Sequence, residues 1–447
     1  MSTQAPSQAA TRKSRRPTEV LLEVDGLTAD GLGSATHGTR QVSIKNALPG
    51  EAVTARILRK RRGQLLAEAH DVSRPHEDRR RPPCAHFPRC GGCALQHLAR
   101  PAQLAFKETQ LRDALRAAGV GAETFAAPVA GPQLGYRRKA RLGVKRLASG
   151  LALGFRESFS ARVARLTRCE TLDPAFGAAL PELAALIDSL SQRERIPQLE
   201  LAAGDDGAQI IVRHLDALSA PDLALLQAFE RAHPQFALLL QPGGPATVTA
   251  LDGSPPPLLS YALPQLGLSL RFAAIEFTQV NAWINARLVA DVCALVAAST
   301  PERAGDLFCG IGNFSLPLAR LGWRVEGYEL AGTAIERARD NAQRNALGIR
   351  AKFSVADLYD PAQGELFAED DAPQLLLLDP PRSGAGPNLA AWLAAPVRTV
   401  IYVSCNPETF ATDAAVLQAA GFSLARAGIY DMFPQTSHVE TLGLFTR

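Results

Sequence analysis

Apolar runs rich in branched side chains recur through the last third of the chain, and each one stops at a polar residue beside glycine or proline. Ala304-Gly305-Asp306-Leu307-Phe308, Arg324-Val325-Glu326-Gly327-Tyr328, Ala351-Lys352-Phe353-Ser354-Val355, Gln374-Leu375-Leu376-Leu377-Leu378 and Thr399-Val400-Ile401-Tyr402-Val403 follow one another with room for a helix between most of them. That alternation predicts an α/β domain with a parallel sheet. Upstream, Ile275–Asn281 opens a long helix through about Val296, with Ile284, Leu288, Val292 and Leu295 as its apolar stripe. Helical spacing is also read over Gln103–Ala118, ended by Gly119, and over Ala175–Leu190 and Ala220–Ala232.

The front of the chain is patterned differently. Val20–Val24, Gln41–Ile44 and Ala52–Leu58 are short runs broken by the glycine-rich stretch Asp25 to Gly33 and by Leu48-Pro49-Gly50-Glu51. Short strands punctuated by Gly and Pro predict a small β-barrel. Its basic end, Arg59-Lys60-Arg61-Arg62, follows directly. A chain of 447 residues suits about three domains. The expected division is a disordered basic arm at 1–17, the barrel at 18–74, a central α+β domain at 75–274 and the α/β domain at 275–447.

Charge sharpens this picture. The net charge of +4 conceals 30 Lys and Arg against 14 Asp and Glu in residues 1–170, and 18 against 30 in the remainder. A basic front joined to an acidic back points to a polyanion held by the front. The strand Gly135-Tyr136-Arg137-Arg138-Lys139-Ala140-Arg141-Leu142-Gly143-Val144 is expected to turn its cations towards phosphate. No run of 18 apolar residues exists, so no membrane partner is expected. Met1–Pro17 has no apolar core of a secretory signal, and seven cysteines is an odd number. Both argue for a cytoplasmic protein without a disulfide framework.

Three of those cysteines cluster. Cys84, Cys90 and Cys93 are spaced so that a Pro/Gly-rich loop can bring three thiolates to one metal, and Cys169, in Thr167-Arg168-Cys169-Glu170, is a fourth donor. Four cysteines suit a structural zinc or a [4Fe–4S] cluster, and His86 and His97 keep zinc open.

The strand ends carry the remaining chemistry. Asp306-Leu307-Phe308-Cys309-Gly310-Ile311-Gly312-Asn313-Phe314 is a strand feeding a glycine turn. Glu329 ends the next strand, 17 residues after Gly312, where a carboxylate accepts ribose hydroxyls. Asp357 follows the third strand and suits an adenine amino group. Asp379-Pro380-Pro381-Arg382 follows the fourth, and Ser404-Cys405-Asn406-Pro407 the fifth. Gly-x-Gly without a third glycine fits a class I (Rossmann-like) methyltransferase better than a nicotinamide enzyme.

Together with Phe277-Thr278-Gln279 and Ser437-His438-Val439-Glu440, these motifs resemble the RNA uracil-C5 methyltransferase family over most of residues 275–447. The barrel, similar to a TRAM domain, and the cysteine cluster extend the likeness to its bacterial 23S rRNA branch. The resemblance implies S-adenosylmethionine as methyl donor, with Gln279, Phe308, Asn313, Glu329, Asp357 and Asp379 around it. It implies Cys405 as the nucleophile that adds to uracil C6 and Glu440 as the base that removes the C5 proton, with His438 the rival base. It also implies a [4Fe–4S] cluster on Cys84, Cys90, Cys93 and Cys169, 23S rRNA as partner, and a monomer. Phe410-Ala411-Thr412-Asp413 departs from the family pattern, which has Leu and Arg before the Asp. The alternatives are a tRNA uracil-C5 methyltransferase, an exocyclic-amine methyltransferase, and a non-catalytic RNA-binding or ribosome-assembly factor.

Overall fold

The computed structural model describes residues 18–367, 372–393 and 396–447. The arm expected at 1–17 lies outside the described residues. The chain divides into two compact units at Arg79/Arg80.

In the first unit six strands form one sheet in the order Glu19–Glu23, Ala52–Arg61, Gln64–Arg74, Arg40–Lys45, Gly33–His37, Gly26–Leu27. Leu22, Val42, Ile44, Val53 and Ala67 alternate inward to make its core. The longest hairpin turns through Arg62 and Gly63, both with positive φ, and leaves Arg59 to Arg62 exposed. Glu51 is fully buried, and its carboxylate accepts from Arg79 Nε and Nη2 at 2.6 Å each, from His76 N at 2.9 Å and from Leu48 N at 2.8 Å. Burial pushes its acid upward, but the Arg79 and amide bonds outweigh burial and hold it below the usual carboxylate range. The Leu48-Pro49-Gly50-Glu51 turn is therefore locked from inside.

The second unit holds two large sheets. The first has the order Thr249–Ala250, Phe236–Gln241, Ala208–Arg213, Gln198–Ala203, Lys139–Leu147, Gly150–Gly154. The helices Pro174–Ser189 and Ala220–Ala232 supply residues to its core, among them Phe176, Leu180 and Leu226.

The other sheet has eight strands: Ala351–Val355, Arg324–Glu329, Arg303–Leu307, Leu375–Leu378, Thr399–Ser404, Glu440–Thr446, Ser423–Tyr430, Ala122–Phe125. The first five are parallel, and Glu440–Thr446 runs antiparallel between Thr399–Ser404 and Ser423–Tyr430. Leaving out the eighth strand, this is the 3-2-1-4-5-7-6 order of a class I methyltransferase sheet. Both faces are covered, and the burial pattern follows from the period of two. Leu375 and Leu377 enter the core with Ile284, Leu288 and Val292, while Leu376 and Leu378 meet Trp392, Phe410 and Leu417.

Two elements differ from the sequence reading. The long helix begins only at Ala282, where the Asn281 side chain accepts from Ile284 N at 3.2 Å. Residues 275–281 instead form a turn, bends and an isolated bridge at Asn281, and Gln279 within them reaches Asp379. The strand Ala122–Phe125 and the helix Arg100–Ala117, from within the expected central domain, join the eight-stranded sheet and its core. An added edge strand leaves no local mark in sequence, so a linear division at 75–274 cuts through this packing. Among the described residues no helix is long and apolar enough to cross a membrane.

Candidate active site

The sheet order reverses between Arg303–Leu307 and Leu375–Leu378, which opens a crevice at the carboxyl ends of the strands. Phe308 begins the turn there with φ 67, and Gly310 and Gly312 follow at φ 52 and 92. At Gly310 an added Cβ would meet nothing within 4 Å, so its glycine serves the left-handed backbone rather than close packing. Phe308 N and Cys309 N both donate to the Tyr328 carbonyl, at 2.9 and 3.0 Å, which holds the turn against the next strand. The Asn313 side chain is held by two neighbours. Its Oδ1 accepts from Tyr261 OH at 2.8 Å and Asn285 Nδ2 at 3.0 Å, and its Nδ2 donates to Asn285 Oδ1 at 2.9 Å. Sequence reading missed Tyr261 and Asn285, which carry no motif of their own.

Three acids gather at the crevice. Asp306 is buried, accepts from the Ser315 hydroxyl, and leaves its other oxygen without a partner. Burial, reinforced by Glu329, pushes it up to about 7. Asp379 is also pushed up to about 7 by burial and by the charges of Asp306 and Glu329, against the opposing hydrogen bond from Gln279 Nε2 at 3.5 Å. Glu329 Oε1 accepts from Ala331 N at 3.0 Å. Asp357 is exposed, and its Oδ1 accepts from Tyr359 N at 3.1 Å. Close carboxylates that repel one another suit a cationic ligand.

The thiol and the second acid come from adjacent antiparallel strands. Ser404 pairs with Thr441 at the end of the ladder, Cys405 and Glu440 are the next residues of the two chains, and the Glu440 charge acts on the Cys405 thiol. Asn406 caps the helix Pro407–Ala419 through Glu408 N at 3.2 Å, so the thiol sits at a helix N-terminus, where negative charge is favoured. Asn406 Nδ2 and Thr409 Oγ1 donate to the Arg382 carbonyl at 3.0 and 3.3 Å, tying the Cys405 loop to the Asp379-Pro-Pro-Arg382 loop. The Cys405 thiol is pushed up to about 11 by burial and by the charges of Glu440 and Asp379, with Arg382 opposing them. Glu440 is 2% exposed, and burial together with Asp379 raises it well above the usual carboxylate range. His438, by contrast, is exposed. In the divergent stretch, Phe410 packs edge-on to Tyr402 at 5.4 Å, and Asp413 accepts from Tyr402 OH and from Ala385 N at 2.8 Å. Cys309 is buried beside Gly327 and packs within the core.

The basic strand does not point its whole row of cations outward. Tyr136 OH donates to the Pro434 carbonyl at 3.0 Å, Arg138 pairs with Asp205, and Lys139 Nζ donates to the Glu276 carbonyl. Burial lowers Lys139 to about 8. These residues brace the walls of the site, and Arg141 and Lys145 remain exposed.

Cys84, Cys90, Cys93 and Cys169 line one small cavity, with Phe87 and Phe155. Burial pushes Cys90 up to about 11 and Cys93 up to about 12, and the neighbouring thiols add to the effect. Cys169 acts on the other three. Gly92 fits this crowding: an added Cβ there would lie 3.0 Å from the Phe155 ring and 3.5 Å from Cys90 Sγ. His86 and His97 do not line the cavity, and His86 Nε2 accepts from Thr167 N at 3.0 Å. No group of three or more His, Cys, Asp or Glu among the described residues already stands in metal-binding geometry.

Residues 265–447 match the family described as tRNA (Uracil-5-)-methyltransferase. The protein named 23S rRNA (uracil(1939)-C(5))-methyltransferase RlmD from Alkalilimnicola ehrlichii is 42% identical over 441 residues, which is 98% of each chain. Its namesake from Burkholderia cenocepacia is 41% identical over 447 residues, covering 96% of this chain and 95% of that one. Among solved structures, Pyrococcus abyssi tRNA (uracil-54, C5)-methyltransferase in complex with S-adenosyl-L-homocysteine has the same fold. Its TM-score is 0.70 at 22% identity, over 96% of this chain and all of that one.

Proposed function

The chain belongs to the 23S rRNA (uracil-C5)-methyltransferase family of RlmD type, and from that membership we propose that it methylates C5 of one uridine of 23S rRNA through a covalent Cys405 adduct. The observation that carries the chemistry is that the adjacent antiparallel strands Thr399–Ser404 and Glu440–Thr446 deliver Cys405 and Glu440 to one edge of the sheet, where the Glu440 charge acts on the thiol. C5 of uracil is a weak nucleophile. Addition of the Cys405 thiolate at C6 moves the C5=C6 pair onto C5 and O4, and C5 then attacks the sulfonium methyl of S-adenosylmethionine, so that the C5–CH3 bond forms as the CH3–S bond breaks and S-adenosylhomocysteine leaves. Glu440 takes the C5 proton, the C–H pair re-forms C5=C6, and the thiolate leaves. Gln279, Phe308, Asn313, Glu329, Asp357 and Asp379 are assigned to the methyl donor, and Arg382 to the approach of the uracil. The base must be splayed from its stack to reach the thiol. The first unit, read as a TRAM-like barrel over 18–74, and the exposed cations of the central 75–274 segment hold the surrounding RNA, while the residues assigned to the chemistry all fall within 275–447.

The test is S-adenosylmethionine-dependent labelling of purified 23S rRNA and bulk tRNA, both from cells lacking this protein. Label is expected in 23S rRNA at a single uridine. Label in tRNA with none in 23S rRNA would move the assignment to the tRNA enzyme.

The acids predict how cofactor binding depends on pH. Asp379 and Asp306 are each raised to about 7, so below that pH they are largely protonated. A cationic ligand favours the carboxylate. The affinity for S-adenosylmethionine is expected to rise with pH up to about 7 and then level, with proton release on binding below it. Calorimetry in buffers of different ionisation enthalpy reads this, and a pH-independent affinity would remove Asp379 from the cofactor site.

We assign a [4Fe–4S] cluster to Cys84, Cys90, Cys93 and Cys169. The support is an all-sulfur donor set lining one cavity, with mutual crowding of the thiols. Such a cluster would order the loop, and no step of the methylation uses it. Anaerobically purified protein is expected to contain about four irons and four acid-labile sulfides per chain. One zinc per chain and no sulfide would overturn the assignment.

A further inference from the structure

Between Tyr430 and Glu440 the chain leaves the sheet as a loop, and much of that loop is held by residues of the 94–137 region. Asp431 is fully buried, with its carboxylate 2.6 Å from Lys107 Nζ and 2.5 Å from Arg100 Nη2. Lys107 Nζ also donates to the Phe433 carbonyl at 2.9 Å, and Tyr136 OH to that of Pro434 at 3.0 Å. Gln435 is the centre of this grip. It is 4% exposed and has φ 68, a left-handed backbone that a residue with a side chain keeps only where its surroundings hold it. Its carbonyl accepts from both Ala94 N and Leu95 N, at 2.9 and 3.0 Å. Its own N–H donates to Gln103 Oε1 at 3.2 Å, and Gln103 Nε2 donates back to Gln435 Oε1 at 3.1 Å. Gln103 Nε2 also lies 2.8 Å from the Leu98 carbonyl.

We propose that this reciprocal Gln103–Gln435 pair is a positioning device for Glu440, acting on the step that releases the product. The inference rests on the reading of Glu440 as the base. Glu440 begins its strand five residues after Gln435, so the loop sets where its carboxylate stands. Cys405 is placed separately, by its own strand and by the Asn406 cap. The clamp therefore bears on proton removal from C5, re-formation of C5=C6 and loss of the C6–S bond. It does not bear on thiolate addition or methyl transfer. A base must reach its proton to within hydrogen-bonding distance.

Gln103→Met keeps length and volume but removes both side-chain bonds to Gln435, together with those to the Leu95 and Leu98 carbonyls. In a single turnover with methyl-labelled cofactor, methyl transfer is expected to stay near wild type. The covalent enzyme–RNA species should persist roughly ten- to a hundredfold longer, as displacement of a reacting group by about an ångström implies. Gln435→Asn, which tolerates the left-handed backbone but has a shorter reach, should give the same split in smaller measure. Leu111→Ala is the control, since Leu111 is a buried core residue of the same helix. Unchanged adduct lifetimes in both glutamine variants would overturn the inference, as would an equal delay in Leu111→Ala. A wild-type enzyme that methylates without any covalent species would instead overturn the Cys405–Glu440 chemistry beneath it.

Discussion

Cys405→Ala is expected to lower methyl incorporation into 23S rRNA by roughly 10⁴-fold or more, the scale of losing a covalent nucleophile, and to leave S-adenosylmethionine binding unchanged. No other thiol can replace it. Cys309 is 5% exposed and Cys293 is 8% exposed, both are packed in the core, and burial raises both thiols. The four remaining cysteines line their own cavity. Cys405 itself rests as a thiol, pushed up to about 11 by burial and by Glu440 and Asp379. The free enzyme is thus kept from reacting with stray electrophiles. On the proposed assignment, a cationic methyl donor against Asp379, with Arg382 and the helix N-terminus beside the sulfur, would shift that balance towards thiolate when both substrates are bound. Alkylation of Cys405 by iodoacetamide is accordingly expected to be slow in the free enzyme. Calorimetry and labelled-methyl incorporation on the same Cys405→Ala preparation separate binding from chemistry. Incorporation near the wild-type rate would end the nucleophile assignment.

The carboxyl edge of the sheet was legible because each strand of a parallel sheet writes its own end into the sequence: a run of branched apolar residues, then a polar residue, then Gly or Pro. Leu378-Asp379-Pro380 and Val403-Ser404-Cys405-Asn406-Pro407 are such endings, and Pro407 and Asn406 do begin and cap the following helix. Contacts made across long sequence distances were not legible. Lys107 and Asp431 look like solvated charges in sequence and are buried against each other across more than 300 residues. Tyr136, Arg138 and Lys139 read as an RNA-facing row because alternation identifies a face without saying what covers it. Glu276, Asp205 and Pro434 cover it, from three distant segments. The strand Ala122–Phe125 is too short and polar to announce a place in a sheet, yet it extends the catalytic sheet beside Ser423–Tyr430. Local pattern determined where the strands of this sheet end, and non-local packing determined what surrounds those ends.

Glu440→Gln is expected to transfer one methyl group and then stop, with enzyme and methylated RNA joined through Cys405. Turnover should fall by roughly 10²–10⁴-fold, the usual contribution of a positioned base. Glutamine keeps the shape of the side chain but cannot take a proton, so the C5–H bond survives and the C6–S bond cannot break. On the proposed assignment the burial of Glu440 favours this step. Burial and the nearby Asp379 raise the acid well above the ordinary carboxylate range, so once ionised it is a stronger base than a solvated glutamate. The sign of the pH effect follows. A raised acid is protonated at low pH and becomes competent as pH rises, so adduct breakdown in the wild type should accelerate with pH, whereas in Glu440→Gln it should be slow and flat. A denaturing gel of labelled RNA followed in time reads both. The exposed His438 supplies the contrasting case: His438→Ala should release its product at close to the wild-type rate. If instead Glu440→Gln clears the adduct normally and His438→Ala accumulates it, the proton goes to the imidazole, and the buried carboxylate is left as an electrostatic neighbour of the thiol.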